Sequence, residues 1–320
     1  MYLLEDMKIV GHAGWREAPR SWGAQGASSA PLPRTIERPD PEFPALARGI
    51  EHLPTRLWVR GSVIPEDALA VAIVGSRRAT PQGLAVAERL AGDLAARGVT
   101  IVSGLARGID TAAHRGALDA GGRTLAVLGS GVDRVYPPEN RALAARIADH
   151  GAVISQFAPG MPALAYHFPV RNRLLAALAL GVVVVEAAEA SGSLITAGHA
   201  ADLGREVMAV PGPAGSPSSR GAHGLIRDGA ALIEDWEDVV AVLPARWRVC
   251  VDTPAPAPAG SGRATDTILA LIGAEPASIE ELIERSGSSA SHVAARLLVL
   301  ELDGRVRQLP GKRFVRVPRG

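Results

Sequence analysis

Four consecutive valines, at positions 182–185, place the strongest constraint on what this chain can fold into. A strand with one face in water alternates apolar with polar residues. This run does not, so both its faces must be covered. Sheets covered on both faces are mostly parallel, with helices as the crossovers. The surrounding sequence alternates the two kinds of element. Apolar runs at 71–74, 99–102, 124–128, 152–154, 182–185 and 206–210 read as strands. Helical spacing occupies 84–97, 109–120, 141–150, 171–180 and 194–203 between them. The predicted fold class is α/β: an extended Rossmann-like, mostly parallel, doubly wound sheet.

The length of 320 residues suggests two domains. Residues 1–40, rich in Gly, Ala, Ser, Pro and Arg without periodicity, read as a disordered tail. The sheet domain is expected over 41–245. A Pro/Ala-rich linker is expected over 246–263. Residues 264–318 then show helical patterns at 266–272, 279–285 and 290–303. Strand patterns follow at 305–309 and 313–317, which together give a small C-terminal winged-helix domain.

Composition removes several function classes. The net charge of +1 gives no global basic field, so any nucleic-acid site must be local. The single cysteine, Cys250, excludes a disulfide framework and a Cys-based zinc site. Lys8 and Lys312 are the only lysines, so the centre of the chain has none for a Schiff base or a P-loop. The longest apolar run, 174–185, is interrupted at Gly181 and falls short of the roughly 18 residues of a membrane span. With no secretory signal pattern, the chain reads as a soluble cytoplasmic protein with no membrane partner.

In open parallel sheets, ligands bind beyond the carboxyl ends of the strands. The segments there are Gly75-Ser76-Arg77-Arg78, Ser103-Gly104-Leu105-Ala106-Arg107-Gly108, Gly129-Ser130-Gly131, Ser191-Gly192-Ser193 and Pro211-Gly212-Pro213. Glycines let backbone amides approach a phosphate, and arginine adds a planar donor fork. Singly these are ordinary turn residues; together they point to an anion site. At 167–173, Arg171 and Arg173 flank Asn172 at the entry to an apolar helix. That entry attracts anions, unless the arginines are buried ion-pair partners, for example of Glu186. Phe157, Tyr166 and Phe168 are placed either to stack bases or to fill the core. The first loop is not G-x-G-x-x-G, so a dinucleotide site is not expected. Ser103, Asp110 and His114 lack a nucleophile elbow, and Asp110 sits where a helix start would use it as a cap. His199 and Asp202 pair only loosely. No catalytic residue, metal or cofactor is assigned.

Taken in order, these motifs resemble the DprA (Smf) family of DNA-processing proteins. The resemblance is carried by Val74-Gly75-Ser76-Arg77, Ser103 to Asp110, and Gly129-Ser130-Gly131 through Tyr136-Pro137-Pro138-Glu139-Asn140. It continues through Phe168-Pro169, Arg171-Asn172-Arg173, Val185-Glu186-Ala187, Ser191 to Ala197 and Ala209-Val210-Pro211-Gly212. It implies a homodimer that binds single-stranded DNA and helps load RecA recombinase during natural transformation. On that reading Ser76, Arg77, Arg78, Arg107, Arg171, Asn172, Arg173, Ser191, Gly192 and Ser193 are the candidate DNA-binding residues. The chain departs from the family pattern at Gln156, at Ala177 and Ala179, and at His223.

Three functions follow. The first is a non-catalytic single-stranded DNA mediator that protects incoming DNA. The second is a Rossmann-like nucleotide hydrolase. The third is a winged-helix transcription regulator, whose reading helix would carry His292 and Arg296. The hydrolase pattern is broken after Pro211-Gly212, and the regulator's basic face is thin. The mediator is the expected function.

Overall fold

The computed structural model describes residues 33–251, and beyond them 269, 271–273, 276–286, 293, 297, 300–301, 305–309 and 313–316. The chain divides into two compact units, residues 1–252 and 253–320.

Among the described residues the first unit opens with strands β1 (Arg34–Glu37) and β2 (Arg56–Gly61) and holds a nine-stranded sheet in the order β1-β2-β6-β5-β4-β3-β7-β8-β9. Its parallel strands are β3 (Ala70–Val74), β4 (Thr100–Ser103), β5 (Thr124–Leu128), β6 (Ala152–Ser155), β7 (Gly181–Val184), β8 (Glu206–Ala209) and β9 (Ala231–Leu232). A short helix, α1 (Ala45–Arg48), precedes them, and helices α2 (Pro81–Ala95), α3 (Ile109–Asp119), α4 (Arg141–His150), α5 (His167–Ala177) and α6 (Gly192–Asp202) alternate with them. The valine run is β7 and its continuation, and β7 is buried throughout. Alternate residues serve opposite layers. Ala72, Val74, Val182 and Val184 join one apolar cluster; Val71, Ile73 and Val183 join the other.

The ends of this array differ from the sequence expectation. Residues 34–40 are not part of a tail. Strand β1 (Arg34–Glu37) pairs antiparallel with β2 (Arg56–Gly61), and β2 pairs antiparallel with β6. Ile36, Phe43, Leu57 and Val59 are all fully buried there. The β1 pattern is hard to read because only Ile36 points inward. Residues 1–32 lie outside the described residues. At the other end, α7 (Arg220–Arg227), α8 (Trp236–Val242) and α9 (Ala245–Arg248) complete the unit, and Val251 is buried in its core. Residues 246–251, expected as linker, therefore belong to the sheet domain; the rest of that linker lies outside the described residues. Helix α5 starts at His167 rather than 171. Pro169 falls in its first turn, where a missing N–H costs no helical hydrogen bond.

The second unit has a three-stranded sheet in the order β10-β12-β11, from β10 (Ala277–Ser278), β11 (Val306–Leu309) and β12 (Arg313–Arg316). Helix α10 (Ile279–Ser286) opens with a capping box. Ser278 Oγ accepts from Glu281 N at 3.2 Å, and Glu281 Oε2 accepts from Ser278 N at 3.0 Å. Leu269, Leu282, Val293, Leu297, Leu300, Val306 and Phe314 form its apolar core. The helices expected at 266–272 and 290–303 fall largely outside the described residues, although Leu269, Val293, Leu297 and Leu300 are helical.

Candidate functional site

The first parallel strand, β3, lies at the centre of the sheet. The chain winds from it through β4, β5 and β6 to one side, then crosses over to β7, β8 and β9 on the other. The loops after β3 and β7 diverge at this reversal and leave a crevice. A cleft of about 810 Å³ occupies it. Its lining includes Gly75, Ser76, Arg77 and Arg78 from the β3 loop, and Ser191, Gly192 and Ser193 at the start of α6. Phe168, Pro169, Arg171 and Asn172 line it from α5, Asp110 from α3, and Tyr136 from the β5–α4 connection. Partial positive charge from the first turns of α3, α5 and α6 reaches the same space.

The β3 loop is held by backbone contacts. Ser76 N donates to Glu186 O at 2.7 Å, and Ile109 N donates to Ser76 O at 3.2 Å. Gly75 is pressed between Ile109 and Glu186; a Cβ there would meet Ile109 Cγ1 at 2.7 Å. Gly108, at φ +75°, lets the α3 start approach Ser76 and Arg77. Arg77 and Arg78 emerge exposed and form no ion pair among the described residues. The Arg77 guanidinium lies 5.0 Å from the centroid of the Phe168 ring. Such a contact in water is worth about 0.5–1 kcal/mol. A charge-assisted hydrogen bond contributes about 1.5–3 kcal/mol, so an arriving phosphate would win the guanidinium.

Arg171 plays a different part. It is buried, with Nη1 donating to Gly104 O at 2.6 Å and also to Val127 O. It therefore ties the ends of β4 and β5 together beneath the cleft. Gly104 is required, since a Cβ would lie 2.5 Å from Arg171 Nη1. Burial pushes the Arg171 pKa down to about 10, against the opposing pull of Asp110, so it remains a cation at neutral pH. Asp110 Oδ2 accepts from Gly104 N at 3.1 Å and Ala106 N at 3.3 Å. Burial raises its pKa, while Arg171 and those two amides draw it back. The acidic neighbour of Arg171 is thus Asp110 rather than Glu186. Glu186 accepts from Thr80 N at 3.1 Å and Thr80 Oγ1 at 2.8 Å, and so holds the start of α2.

The remaining candidates separate. Asn172 Nδ2 donates to Gly192 O at 3.3 Å and joins α5 to α6. Ser191 caps α6 by accepting from Ser193 N at 3.3 Å. Arg107 lies outside the main cleft. It lines a small adjoining hollow with Arg77, Ala106, Tyr136 and Phe168, and is paired to Glu139. The hydrogen bond from Arg107 holds the Glu139 carboxyl below its ordinary range. Arg173 does not line the cleft, and its Nε is buried without a partner among the described residues. Ser103, Asp110 and His114 form no triad. Ser103 Oγ donates to Ile73 O at 2.6 Å, and His114 Nδ1 lies 2.7 Å from Thr124 Oγ1. Tyr136 was not among the sequence candidates for the site; only its place in the Tyr-Pro-Pro-Glu-Asn motif signals it.

The family model described as DNA recombination-mediator protein A matches residues 34–244. The chain belongs to that family. A second model of the family, the DprA winged helix domain, matches residues 252–312. Among relatives, Protein Smf of Escherichia coli (strain K12) is 40% identical over 272 residues, covering 83% of this chain and 72% of Smf. DNA processing protein A from Streptococcus pneumoniae, known by X-ray structure, has a TM-score of 0.62 at 41% identity. That match covers 66% of this chain and 74% of the other. DNA processing protein A from Helicobacter pylori was solved for its single-stranded DNA binding mode. It has a TM-score of 0.58 at 28% identity, covering 65% of this chain and 94% of the other. The residues matched by the first model span the sheet that builds the cleft. No helix among the described residues is long and apolar enough to cross a membrane.

Proposed function

We propose that the cleft between the β3 and β7 loops binds single-stranded DNA, and that the chain is a non-catalytic mediator that protects incoming DNA. The observation that carries this reading is the pair Arg77 and Arg78, exposed at the cleft mouth without carboxylate partners among the described residues. Around them stand helix first turns and an aromatic ring. Such a set binds phosphates and tolerates any base. Asp110, the carboxylate that lines the cleft, is buried and engaged by the Gly104 and Ala106 amides, which weighs against its use as the general base of a hydrolase. Family membership and the Helicobacter pylori relative support the same ligand. Ser76, Ser191, Gly192 and Ser193 would present backbone or hydroxyl donors beside the two arginines. Arg171 and Asn172 would hold the floor, and Arg107 would serve a neighbouring phosphate. The family resemblance extends the proposal to a homodimer that helps load RecA recombinase during natural transformation.

The test is fluorescence anisotropy of a labelled oligonucleotide across a salt series, with duplex competitor. Single strands should bind in preference to duplex. Arg77→Ala should weaken binding and lower the magnitude of the log K against log salt slope by about 0.7, the value for one phosphate contact on a single strand. Duplex binding that survives Arg77→Ala would overturn the reading. In the same samples the chain should speed RecA filament assembly on single strands; an unchanged rate would remove the loading role.

A further inference from the structure

Two arginines flank the small hollow beside the cleft, and they face it in different electrostatic states. Arg77 has no carboxylate partner among the described residues, whereas Arg107 Nε donates to Glu139 Oε1. The paired residues come from separate segments. Arg107 stands on the β4–α3 loop, and Glu139 in a single 3-10 turn, Pro138–Asn140, ahead of α4. That loop is held in place without them. Asn140 Nδ2 donates to Leu105 O and to Thr111 Oγ1, both at 2.9 Å, and Thr111 Oγ1 donates to Ala106 O at 2.6 Å. Asp110 takes the Gly104 and Ala106 amides. Leu105, at φ 57°, sits between these anchors. The Arg107 and Glu139 side chains are themselves 55% and 52% exposed. An ion pair so open to water adds little to folding. Its effect falls instead on any anion that approaches the hollow.

We propose that Glu139 is a negative determinant of strand affinity: its carboxylate stands in for a phosphate and withholds Arg107 from the bound strand. The proposal rests on the single-stranded DNA reading of the cleft and adds to it a residue that works against binding. Arg77 meets the strand as a free cation. Arg107 and Glu139 meet it as a neutral unit, because a phosphate gains the guanidinium only as the carboxylate gives it up. Exchanging one exposed ion pair for another is close to neutral in free energy. Without the carboxylate, Arg107 would be a second unpaired guanidinium on the same hollow, and its bond to a phosphate would replace only water. Two free arginines there would hold a strand longer. The native pairing keeps the strand exchangeable, as a protein that passes its DNA on requires.

The test is anisotropy titration of a labelled thymidine oligonucleotide across a salt series, with four full-length proteins: unaltered, Glu139→Gln, Arg107→Ala and the double variant. Glu139→Gln should tighten binding about three- to tenfold at low salt, steepen the log K against log salt slope by about 0.7, and slow dissociation. Arg107→Ala alone should change the affinity by less than about twofold. In the Arg107→Ala background, Glu139→Gln should bring no gain, which makes the pair strongly coupled. Urea midpoints should agree among the four proteins, since the Asn140, Thr111 and Asp110 contacts remain in each. A carboxylate that acted only through its distant field would tighten binding equally in both backgrounds, and that result would overturn the proposal. So would an affinity and slope unmoved by Glu139→Gln; either result leaves the DNA reading standing. Failure of the unaltered protein to bind the strand would overturn both.

Discussion

His114 is fully buried on α3, and its pKa is pushed down to about 3, first by burial and then by the Arg171 cation. Thr124 Oγ1 donates to Ile101 O at 2.7 Å, so it must accept from His114 Nδ1–H; Nε2 is buried without a partner among the described residues. The folded protein therefore holds a neutral imidazole. Above about pH 6.5 the imidazole is neutral in both folded and unfolded chains, and its contribution is complete. Between pH 6.5 and about 3 only the unfolded chain takes up the proton, so stability falls by about 1.4 kcal/mol for each pH unit on acidification. His114→Gln should flatten this limb of a plot of unfolding free energy against pH, measured by urea titration. An unchanged slope would show that other groups dominate the acid limb. At this scale the sequence exposes residue types but not partners. Arg171 looks like a phosphate ligand because it stands at a helix entry. That the Gly104 and Val127 carbonyls occupy its guanidinium depends on β4 and β5 ending side by side, which no local pattern records.

Among the elements, the start of α3 is tightly specified. Gly108 has φ +75° and ψ −127°, a conformation that side chains disfavour, and a Cβ there would collide with the Ser76 carbonyl oxygen. Gly108→Ala should cost at least about 2 kcal/mol in chemical denaturation, from combined backbone strain and overpacking. A smaller loss would mean that the β3 loop can retreat, and the cleft with it. The central strands and helices were legible because a strand buried on both faces announces itself by composition alone, as at 182–185. The antiparallel edge was not. Strand β2 alternates Leu57 and Val59 inward against Arg56 and Arg60, a weaker signal that depends on the partner it covers. Strand β9 has two residues, too few to carry a period.

For the whole molecule, the cleft is built from residues of the first unit alone. A chain ending at Asp252 should therefore fold and bind single strands within about twofold of the full chain, with the same salt slope, because no phosphate contact is removed. A large drop in anisotropy titrations would assign part of the affinity to residues 253–320. The sheet order has a second consequence, one of time. Strand β3 finds its neighbour β4 soon after synthesis, but its other neighbour, β7, is made only after β5 and β6. Arg77 thus waits for Phe168 and Ser191 to leave the ribosome before it has a cleft to belong to. A domain is translated from its N-terminus at roughly 5–20 residues per second, so the nascent chain carries its exposed arginines for several seconds without the walls that would give them a ligand. The cleft is complete only once β7 and the start of α6 have joined the strand that began the parallel array.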